Sequence, residues 1–158
     1  MSDPRRPTIR PPKNLPRWCF VRLIREPGTE MQAAERIRGP VDVHRLLAPR
    51  VQRLDVEAFY VMSLGSQSQV RAIEELTRGI LNSSLIHPRE VFRSAILAGA
   101  AGIIVAHNHP SGDPTPSADD RSVTRQMVDA GRLLDLPVYD HVILGGDRYM
   151  SFAEAGLL

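Results

Sequence analysis

The sequence predicts an α/β or α+β fold in a single domain: a mixed sheet with helices packed on its faces. Its 158 residues match about one average domain. Hydrophobic residues at 42% and charged residues at 24% are typical of a globular protein. From residue 55 onward, strand-like and helix-like patterns follow one another in the order β-β-α-β-α-β-β. These three observations together predict the fold class.

The N-terminal third differs in composition from the rest of the chain. Prolines alternate with arginines over residues 1–27, which predicts a basic, extended tail. A short helical lead-in is predicted over residues 28–53. It consists of a helix from Thr29 to Arg38, ended by a Gly-Pro pair, and a second helix that Asp42 caps and Pro49 interrupts.

The predicted main domain, residues 54–158, begins with a strand pair followed by a helix. Glu57–Leu64 is apolar on both alternating faces after its first residue, as is typical of a central strand. A turn leads to a second extended segment over 69–80. The next helix opens at Pro88, since proline fits a first helical turn. Its predicted apolar stripe consists of Val91, Phe92, Ala95, Ile96 and Gly99.

The remaining elements alternate strand, helix and hairpin. Ile103–Ala106 predicts a short buried strand, and a proline-rich loop follows over Asn108–Pro116. Ser117 begins the next helix, with Asp120 three residues later as in a capping box. The apolar positions of that helix are Val123, Met127, Ala130 and Leu134. The strands of the closing hairpin are Val138–Leu144 and Arg148–Phe152.

Charge is unevenly distributed along the chain. Residues 1–53 contain twelve Arg or Lys and five Asp or Glu, a net charge of +7, whereas residues 54–158 contain eight and thirteen, a net charge of −5. The basic segment would suit contact with nucleic acid or docking onto an acidic protein surface. A coding bias toward arginine would produce the same excess with no binding role.

Cysteine content and hydropathy indicate the compartment. Cys19 is the one cysteine, which excludes an internal disulfide framework and a cysteine-rich zinc finger. No apolar run approaches the ~20 residues of a membrane span, and no apolar segment follows the N-terminal arginines as in a secretory signal. We therefore expect a cytoplasmic protein with no membrane contact.

Three side chains form a candidate metal site. His107 and His109 lie at the exit of a buried strand, where side chains two residues apart point the same way. Asp120 lies in the first turn of the next helix, and the loop before it can fold back toward the histidines. Two imidazoles and one carboxylate leave an open position on a tetrahedral zinc ion, as in catalytic sites. Histidines at a strand end, however, are often only solvated or hydrogen-bonded.

Glu57 is a candidate general base. It starts an apolar strand on the same face as Phe59, and a carboxylate that points toward a core requires a partner. A metal-activated water would be such a partner, whereas first residues of strands also often protrude into solvent. Glu90 competes for this role, although acids are common in a first helical turn. His141 either supports the site from behind or is a satisfied core histidine.

These residues carry a family resemblance. The pattern of His107, His109, Ser117 and Asp120, with Glu57 upstream, resembles the JAMM (MPN+) metalloprotease motif. More closely, HNHPSGDPTPSADD, preceded by LNSSLIHPREVFRSAILAGAAGIIVA and followed by DHVILGG, is similar to the RadC family of bacterial JAMM-like proteins. The resemblance covers residues 54–158, and the helix-hairpin-helix module of many RadC proteins is not recognisable before it.

The resemblance implies a JAB1/MPN-like (cytidine-deaminase-like) fold and a role for each matching residue. His107, His109 and Asp120 would be the ligands of a zinc ion (Zn2+). Glu57 would hold and deprotonate the zinc-bound water. Ser117 would donate a hydrogen bond to the oxyanion of the tetrahedral intermediate.

The resemblance also implies three functional hypotheses. The first is a zinc metallopeptidase that cleaves peptide or isopeptide amide bonds in a protein or peptide substrate, ubiquitin-like conjugates included. The second is a DNA-repair-associated accessory protein that binds nucleic acid through its basic segment, residues 1–53. The third is a scaffold without catalysis. The sequence predicts no oligomeric state.

Overall fold

The computed structural model of the chain describes residues 35–79 and 86–158. The described part has three helices and five strands in one sheet, and it confirms the predicted fold class. The helices are α1 (Pro40–Val51), α2 (Pro88–Leu97) and α3 (Ala118–Leu134). The strands are β1 (Glu57–Leu64), β2 (Val70–Gly79), β3 (Gly102–Asn108), β4 (Val138–Gly145) and β5 (Arg148–Ser151).

The sheet is mixed, with the strand order β2-β1-β3-β4-β5. β3 and β4 are parallel and are joined through α3, whereas all other neighbours are antiparallel. In the β1–β3 pair, Phe59 lies opposite His107. β1 is paired on both sides, which confirms the central strand that its continuous apolar pattern predicts.

One face of the sheet is covered by α1 and is apolar. Its buried core, called here the α1 face, combines one stripe of α1 with alternate residues of the strands. Its fully buried or nearly buried members are Val43, Leu47, Val51, Ala58, Tyr60, Met62, Leu64, Ile104, Ala106, Val142 and Leu144. The burial of these side chains stabilises the docking of α1 on β4 and β5.

The opposite face, called here the α2/α3 face, carries the other alternate residues of the same strands. Its apolar members are Phe59, Val61, Val91, Phe92, Ala95, Ile103, Val105, Val123 and Met127. Toward the end of β3 this core gives way to His107 on β3 and His141 on β4, which are both buried. Polar side chains thus lie at one end of an otherwise apolar layer.

The lead-in to α1 differs from the prediction. Residues 35–38, the described end of the helix predicted from Thr29, are extended, and Arg36 forms a bridge with Gln69. The Ile37 N–H donates to the Ser68 carbonyl at 2.9 Å. Tertiary strand pairing here overrides the local helical pattern, because it supplies the backbone partners that a helix would otherwise provide.

The predicted start of α1 was also wrong by three residues. α1 begins at Pro40 with Gly39 as the capping residue, and Asp42 lies within its first turn. There Asp42 Oδ2 accepts a hydrogen bond from the Arg38 N–H at 2.9 Å. Pro49 does not interrupt the helix, since it lies in the last turn, which closes through the bond from Gln52 N–H to the Ala48 carbonyl at 2.9 Å.

The predicted apolar stripes were correct near the middle of each helix and wrong at the C-terminal ends. Ile96 of α2 is 56% exposed and Leu134 of α3 is 47% exposed. Both lie in the last two residues of their helices, beyond the part that the sheet covers. β3 is longer than predicted and includes His107 and Asn108. None of the helices in the described ranges is long and apolar enough to cross a membrane.

Candidate metal centre

Three side chains converge where β3 ends and α3 begins. His107 Nε2 lies 3.0 Å from His109 Nε2 and 3.2 Å from Asp120 Oδ1. His109 Nε2 lies 3.6 Å from Asp120 Oδ2. One nitrogen of each histidine and the carboxylate therefore face a common point, and this group could hold a metal ion. The histidines are not simply solvated, because the two rings face each other and the same carboxylate; the alternative to a bound ion is hydrogen bonding among these three side chains.

The capping box at the start of α3 orients Asp120. Asp120 Oδ2 accepts hydrogen bonds from the Ser117 backbone N–H and from the Ser117 hydroxyl, both at 2.7 Å. In return, the Asp120 N–H donates to Ser117 Oγ at 3.1 Å. The predicted capping box is thus confirmed with aspartate at its third position. Because Oδ2 already has two donors, Oδ1 is the oxygen left for an ion.

The loop after β3 fixes the ring of His109. His109 Nδ1 lies 2.7 Å from the Asp113 carbonyl oxygen, which can only accept, so Nδ1 carries the proton. In the neutral ring, Nε2 then presents a lone pair to the common point. A backbone carbonyl that holds the far nitrogen in this way is typical of histidines that bind metals.

The same loop packs closely on the end of β4. A Cβ atom at Gly145 would lie 2.6 Å from the Gly112 carbonyl oxygen and 2.8 Å from Pro114 Cδ. Only glycine therefore allows this approach. Arg148 Nη2 donates to the Gly112 carbonyl at 2.8 Å. The hairpin between β4 and β5 thus supports the loop that carries His109.

The charges of the site reinforce one another. The hydrogen bond to Asp120 is the main cause that raises the pKa of His109, and the Glu57 carboxylate adds to the same shift. Burial raises the pKa of Asp120, but hydrogen bonds from His107, His109 and Ser117 outweigh it and hold that pKa well below its usual range. The carboxylate is therefore ionised at neutral pH and attracts positive charge.

Glu57 is placed beside the site by the register of β1 and β3. Phe59 and His107 form the last pair of the β1–β3 register, and Glu57 lies two residues further toward the same end of the sheet. The carboxylate is half-buried at the first position of β1. Its effect on the pKa of His109 is consistent with this placement. The competing candidate Glu90 instead forms ion pairs on α2.

Asn108 is a residue whose importance the sequence pattern did not indicate. It was expected in the loop, but it is the last residue of β3 and is buried. Its Oδ1 accepts from the Ala58 N–H at 2.8 Å, and its Nδ2 donates to the Val56 carbonyl at 3.1 Å. These two bonds flank Glu57, so an amide between the two histidines ties the candidate base to the candidate ligands.

Thr124 was also overlooked, and His141 was left undecided. Thr124 lies one helical turn after Asp120 and is buried on the inner side of α3. Its hydroxyl contacts both the Asp120 carbonyl and His141 Nδ1 at 2.6 Å. His141 Nε2 lies 2.8 Å from His107 Nδ1. The one local signal was a threonine between two core positions, which by itself does not distinguish a functional residue.

The predicted basic tail, residues 1–27, lies outside the described residues, as do most of the residues of the helix predicted from Thr29. Contact with nucleic acid through residues 1–53 therefore stays a prediction from charge. The position of Cys19 falls in the same segment.

Comparisons with known proteins agree on one family. The chain matches the RadC-like JAB domain over residues 37–157. It is 50% identical over 120 residues to a UPF0758 protein of Symbiobacterium thermophilum, an alignment that covers 76% of this chain and 51% of the relative. It is 52% identical over 122 residues to a UPF0758 protein of Moorella thermoacetica, with 77% and 53% covered. A UPF0758 protein of Methanosarcina acetivorans is 42% identical over 123 residues, with 78% and 54% covered.

The chain spans about half the length of the curated relatives it matches. The matched part contains the whole sheet, α1, α2 and α3, and all three converging side chains. The resemblance noted from the sequence is thereby confirmed. By this match and by the fold itself, the chain belongs to the RadC-like JAB domain family.

Proposed function

We propose that this chain is a zinc-dependent hydrolase that cleaves amide bonds, in a peptide or an isopeptide linkage. The observation that carries the proposal is the convergence of His107 Nε2, His109 Nε2 and the Asp120 carboxylate at 3.0–3.6 Å, with Glu57 at the start of the neighbouring strand β1. Two imidazoles and a carboxylate with one open position are the ligand set of catalytic zinc sites.

The distances between the ligand atoms suit zinc. Zinc binds nitrogen and oxygen ligands at about 2.0–2.2 Å in a tetrahedron, so two ligand atoms should lie about 3.3–3.6 Å apart. His107 Nε2 lies 3.0 Å from His109 Nε2 and 3.2 Å from Asp120 Oδ1, which is close to that range. The residues present therefore fit such an ion without a change of fold.

The site has a closed and an open side. The His107 side chain is 1% exposed, whereas those of His109 and Asp120 are 13% and 15% exposed. A substrate carbonyl would approach from the side of His109 and Asp120. Zinc held there would supply Lewis-acid chemistry, since it lowers the pKa of water from about 16 toward 7 and polarises a carbonyl.

Glu57 moves the proton in this proposal. Its carboxylate accepts a proton from the attacking water as the new C–O bond forms at the substrate carbonyl. It then delivers that proton to the leaving nitrogen as the C–N bond breaks. The products are a carboxylic acid and an amine, so one water is consumed and no other reactant is required. Asn108 holds the backbone on both sides of Glu57 for this task.

Ser117 has two roles in the proposal. Its hydroxyl orients Asp120 through the 2.7 Å bond to Oδ2. Donation to the oxyanion would require the hydroxyl to turn away from that oxygen, after which the Ser117 backbone N–H still holds Asp120. Stabilisation of a developing oxyanion by one donor is worth about 10²–10³ in kcat.

The test separates metal binding from turnover. Zinc content is measured by elemental analysis for the natural chain and for Glu57→Gln, His109→Gln and Asp120→Asn. Hydrolysis is followed by mass spectrometry in H₂¹⁸O, with synthetic peptides that contain either an α-peptide bond or a lysine ε-isopeptide bond. We expect one zinc per chain and ¹⁸O in the new carboxylate for the natural chain. Glu57→Gln should keep zinc and lose turnover.

Glu90→Gln is the matched control, because it removes a carboxylate whose partners are the Arg89 and Arg93 side chains on α2. It should keep both zinc and turnover. Undiminished zinc in both His109→Gln and Asp120→Asn would refute the metal centre. Natural turnover in zinc-loaded Glu57→Gln would remove Glu57 from the mechanism.

A further inference from the structure

A series of short hydrogen bonds lies on the buried side of the candidate metal centre. His141, on β4, is fully buried, and its ring stacks on Phe152 with the centroids 4.8 Å apart. Its Nε2 lies 2.8 Å from His107 Nδ1, and its Nδ1 lies 2.6 Å from Thr124 Oγ1. The Thr124 hydroxyl in turn lies 2.6 Å from the Asp120 backbone carbonyl. The series of hydrogen bonds thus links two candidate ligands, His107 and Asp120.

The direction of each hydrogen bond in the series follows from the Asp120 carbonyl at its end. The Asp120 carbonyl oxygen can only accept, so the single hydroxyl proton of Thr124 is donated to it. Thr124 Oγ1 then has only lone pairs to offer His141. His141 Nδ1 must therefore carry a proton and donate it to Thr124.

The same reasoning extends to His107. His141 is fully buried and, among the described residues, its ring has no carboxylate as a hydrogen-bond partner, so its neutral ring is favoured over a charged one. With its proton on Nδ1, the Nε2 atom of the neutral ring is an acceptor. His107 Nδ1 must then donate to His141 Nε2. A neutral His107 therefore has its lone pair on Nε2, the atom that faces His109 and Asp120.

We propose that Thr124 and His141 are positioning residues, which hold His107 in the form that carries its proton on Nδ1 and presents the Nε2 lone pair to a metal ion. This inference rests on the proposed metal centre. It also explains why two polar side chains are buried between α3 and the sheet, where apolar ones of similar size would pack.

A purely structural role makes a different prediction. If His141 and Thr124 only filled space and satisfied each other, an isosteric change at Thr124 would alter stability and leave zinc affinity untouched. In the positioning role, loss of the hydroxyl releases the proton of His141. That proton can then move to Nε2 and donate to His107 Nδ1, which leaves His107 with a proton on the nitrogen that should bind the ion.

The experiment compares Thr124→Val with Thr124→Ser in the whole chain, after circular dichroism has confirmed folding. Zinc dissociation constants are measured by competition with a chromophoric chelator. Thr124→Ser keeps the hydroxyl and should bind zinc within about threefold of the natural chain. Thr124→Val should bind it about 10- to 100-fold more weakly, as losses of such supporting bonds do. Equal affinities in the two folded variants would overturn the proposal.

A second measurement needs no variant. The ¹⁵N chemical shifts of the histidine rings in the natural chain at neutral pH report which nitrogen carries the proton. We expect a protonated Nδ1 and a bare Nε2 on His141, and the reverse pattern would overturn the proposal even if Thr124→Val fails to fold. A natural chain that takes up no zinc would refute the proposed function, while the ring shifts would still decide the roles of His141 and Thr124.

Discussion

The two faces of the sheet use the same strands for different purposes. On β3, Ile104 and Ala106 point to the α1 face, whereas Ile103, Val105 and His107 point to the α2/α3 face. The α1 face is apolar over most of the strand lengths, with a few isolated polar pairs such as Tyr60 with Glu75 and Asp140 with Ser151. The α2/α3 face is apolar at one end and changes to a network of imidazole, hydroxyl and carboxylate groups at the other.

This difference shows that the two faces contribute differently: the α1 face mainly stabilises the fold, and the α2/α3 face holds the candidate site. Burial of apolar side chains needs only approximate complementarity, and the α1 face supplies it with few polar groups that must be matched. The polar network requires a partner for every donor and acceptor, because an unmatched buried group costs about 1–3 kcal/mol. A rigid apolar layer on one side therefore supports a demanding arrangement on the other.

Leu47→Ala should produce the largest change in stability. Leu47 is fully buried in the α1 face, so the variant should lose about 2–5 kcal/mol of unfolding free energy. Zinc affinity should be unchanged, since this side chain belongs to the opposite core. Urea unfolding and chelator competition measure the two quantities. A matching loss of zinc affinity in the folded variant would show that the faces are coupled.

Asp120→Asn should affect the α2/α3 face alone. Zinc affinity should fall more than about 100-fold, since even the loss of a supporting partner costs 10- to 100-fold. Unfolding free energy measured with excess chelator should also fall, by about 1–3 kcal/mol, because the amide oxygen can still accept from the Ser117 N–H but the two imidazoles lose their ionised partner. Asp119→Asn, at the exposed neighbouring position, is the control and should retain zinc.

Asn108→Ala tests the link between β1 and the end of β3. The change removes the partners of the Ala58 N–H and the Val56 carbonyl, so it should cost about 1–3 kcal/mol of unfolding free energy. Amide hydrogen exchange at Ala58 should accelerate more than at Met62, in the middle of β1. Equal exchange rates at Ala58 in the variant and the natural chain would mean that Asn108 does not hold this segment.

Tyr60→Phe removes a hydroxyl from the α1 face and should have the smallest effect at neutral pH, about 0.5–1.5 kcal/mol of unfolding free energy for one hydrogen bond. Burial, together with the hydrogen bond to Glu75, raises the pKa of Tyr60 to about 12 from the usual value of 10.0. Because the pKa is higher in the folded state, the stability it contributes is complete below pH 10 and is lost between pH 10 and pH 12. That loss should amount to about 3 kcal/mol in the natural chain.

The Tyr60→Phe variant should show a shallower decline of unfolding free energy over the same alkaline range. Tyr139→Phe, at a position that is 45% exposed, serves as the control and should follow the natural chain. Parallel declines in the natural chain and Tyr60→Phe would mean that the buried hydroxyl contributes nothing to the pH dependence.

Much of the architecture was predictable because it is encoded locally. Glu57–Leu64 was predicted with the observed bounds, since an unbroken apolar run specifies a strand covered on both faces. Ser117 and Asp120 predict the start of α3 from a pattern of four residues. His107 and His109 lie two residues apart on one strand end, so their convergence also follows from local geometry. The extended segment before α1 was not predictable, because its partner at Gln69 is distant in sequence.

Short stretches of sequence thus determine the order of the strands and helices, the start of α3 and the three candidate ligands. In each case the periodicity or spacing that predicts the feature extends over only a few residues. The pairing of Asn108 with the segment around Glu57, and of His141 with His107 and Thr124, joins residues separated by 50, 34 and 17 positions. Such contacts depend on strand order, register and the packing of α3 against the sheet. No local pattern specifies them, because each side chain meets its partner only when α3 and the strands have packed together.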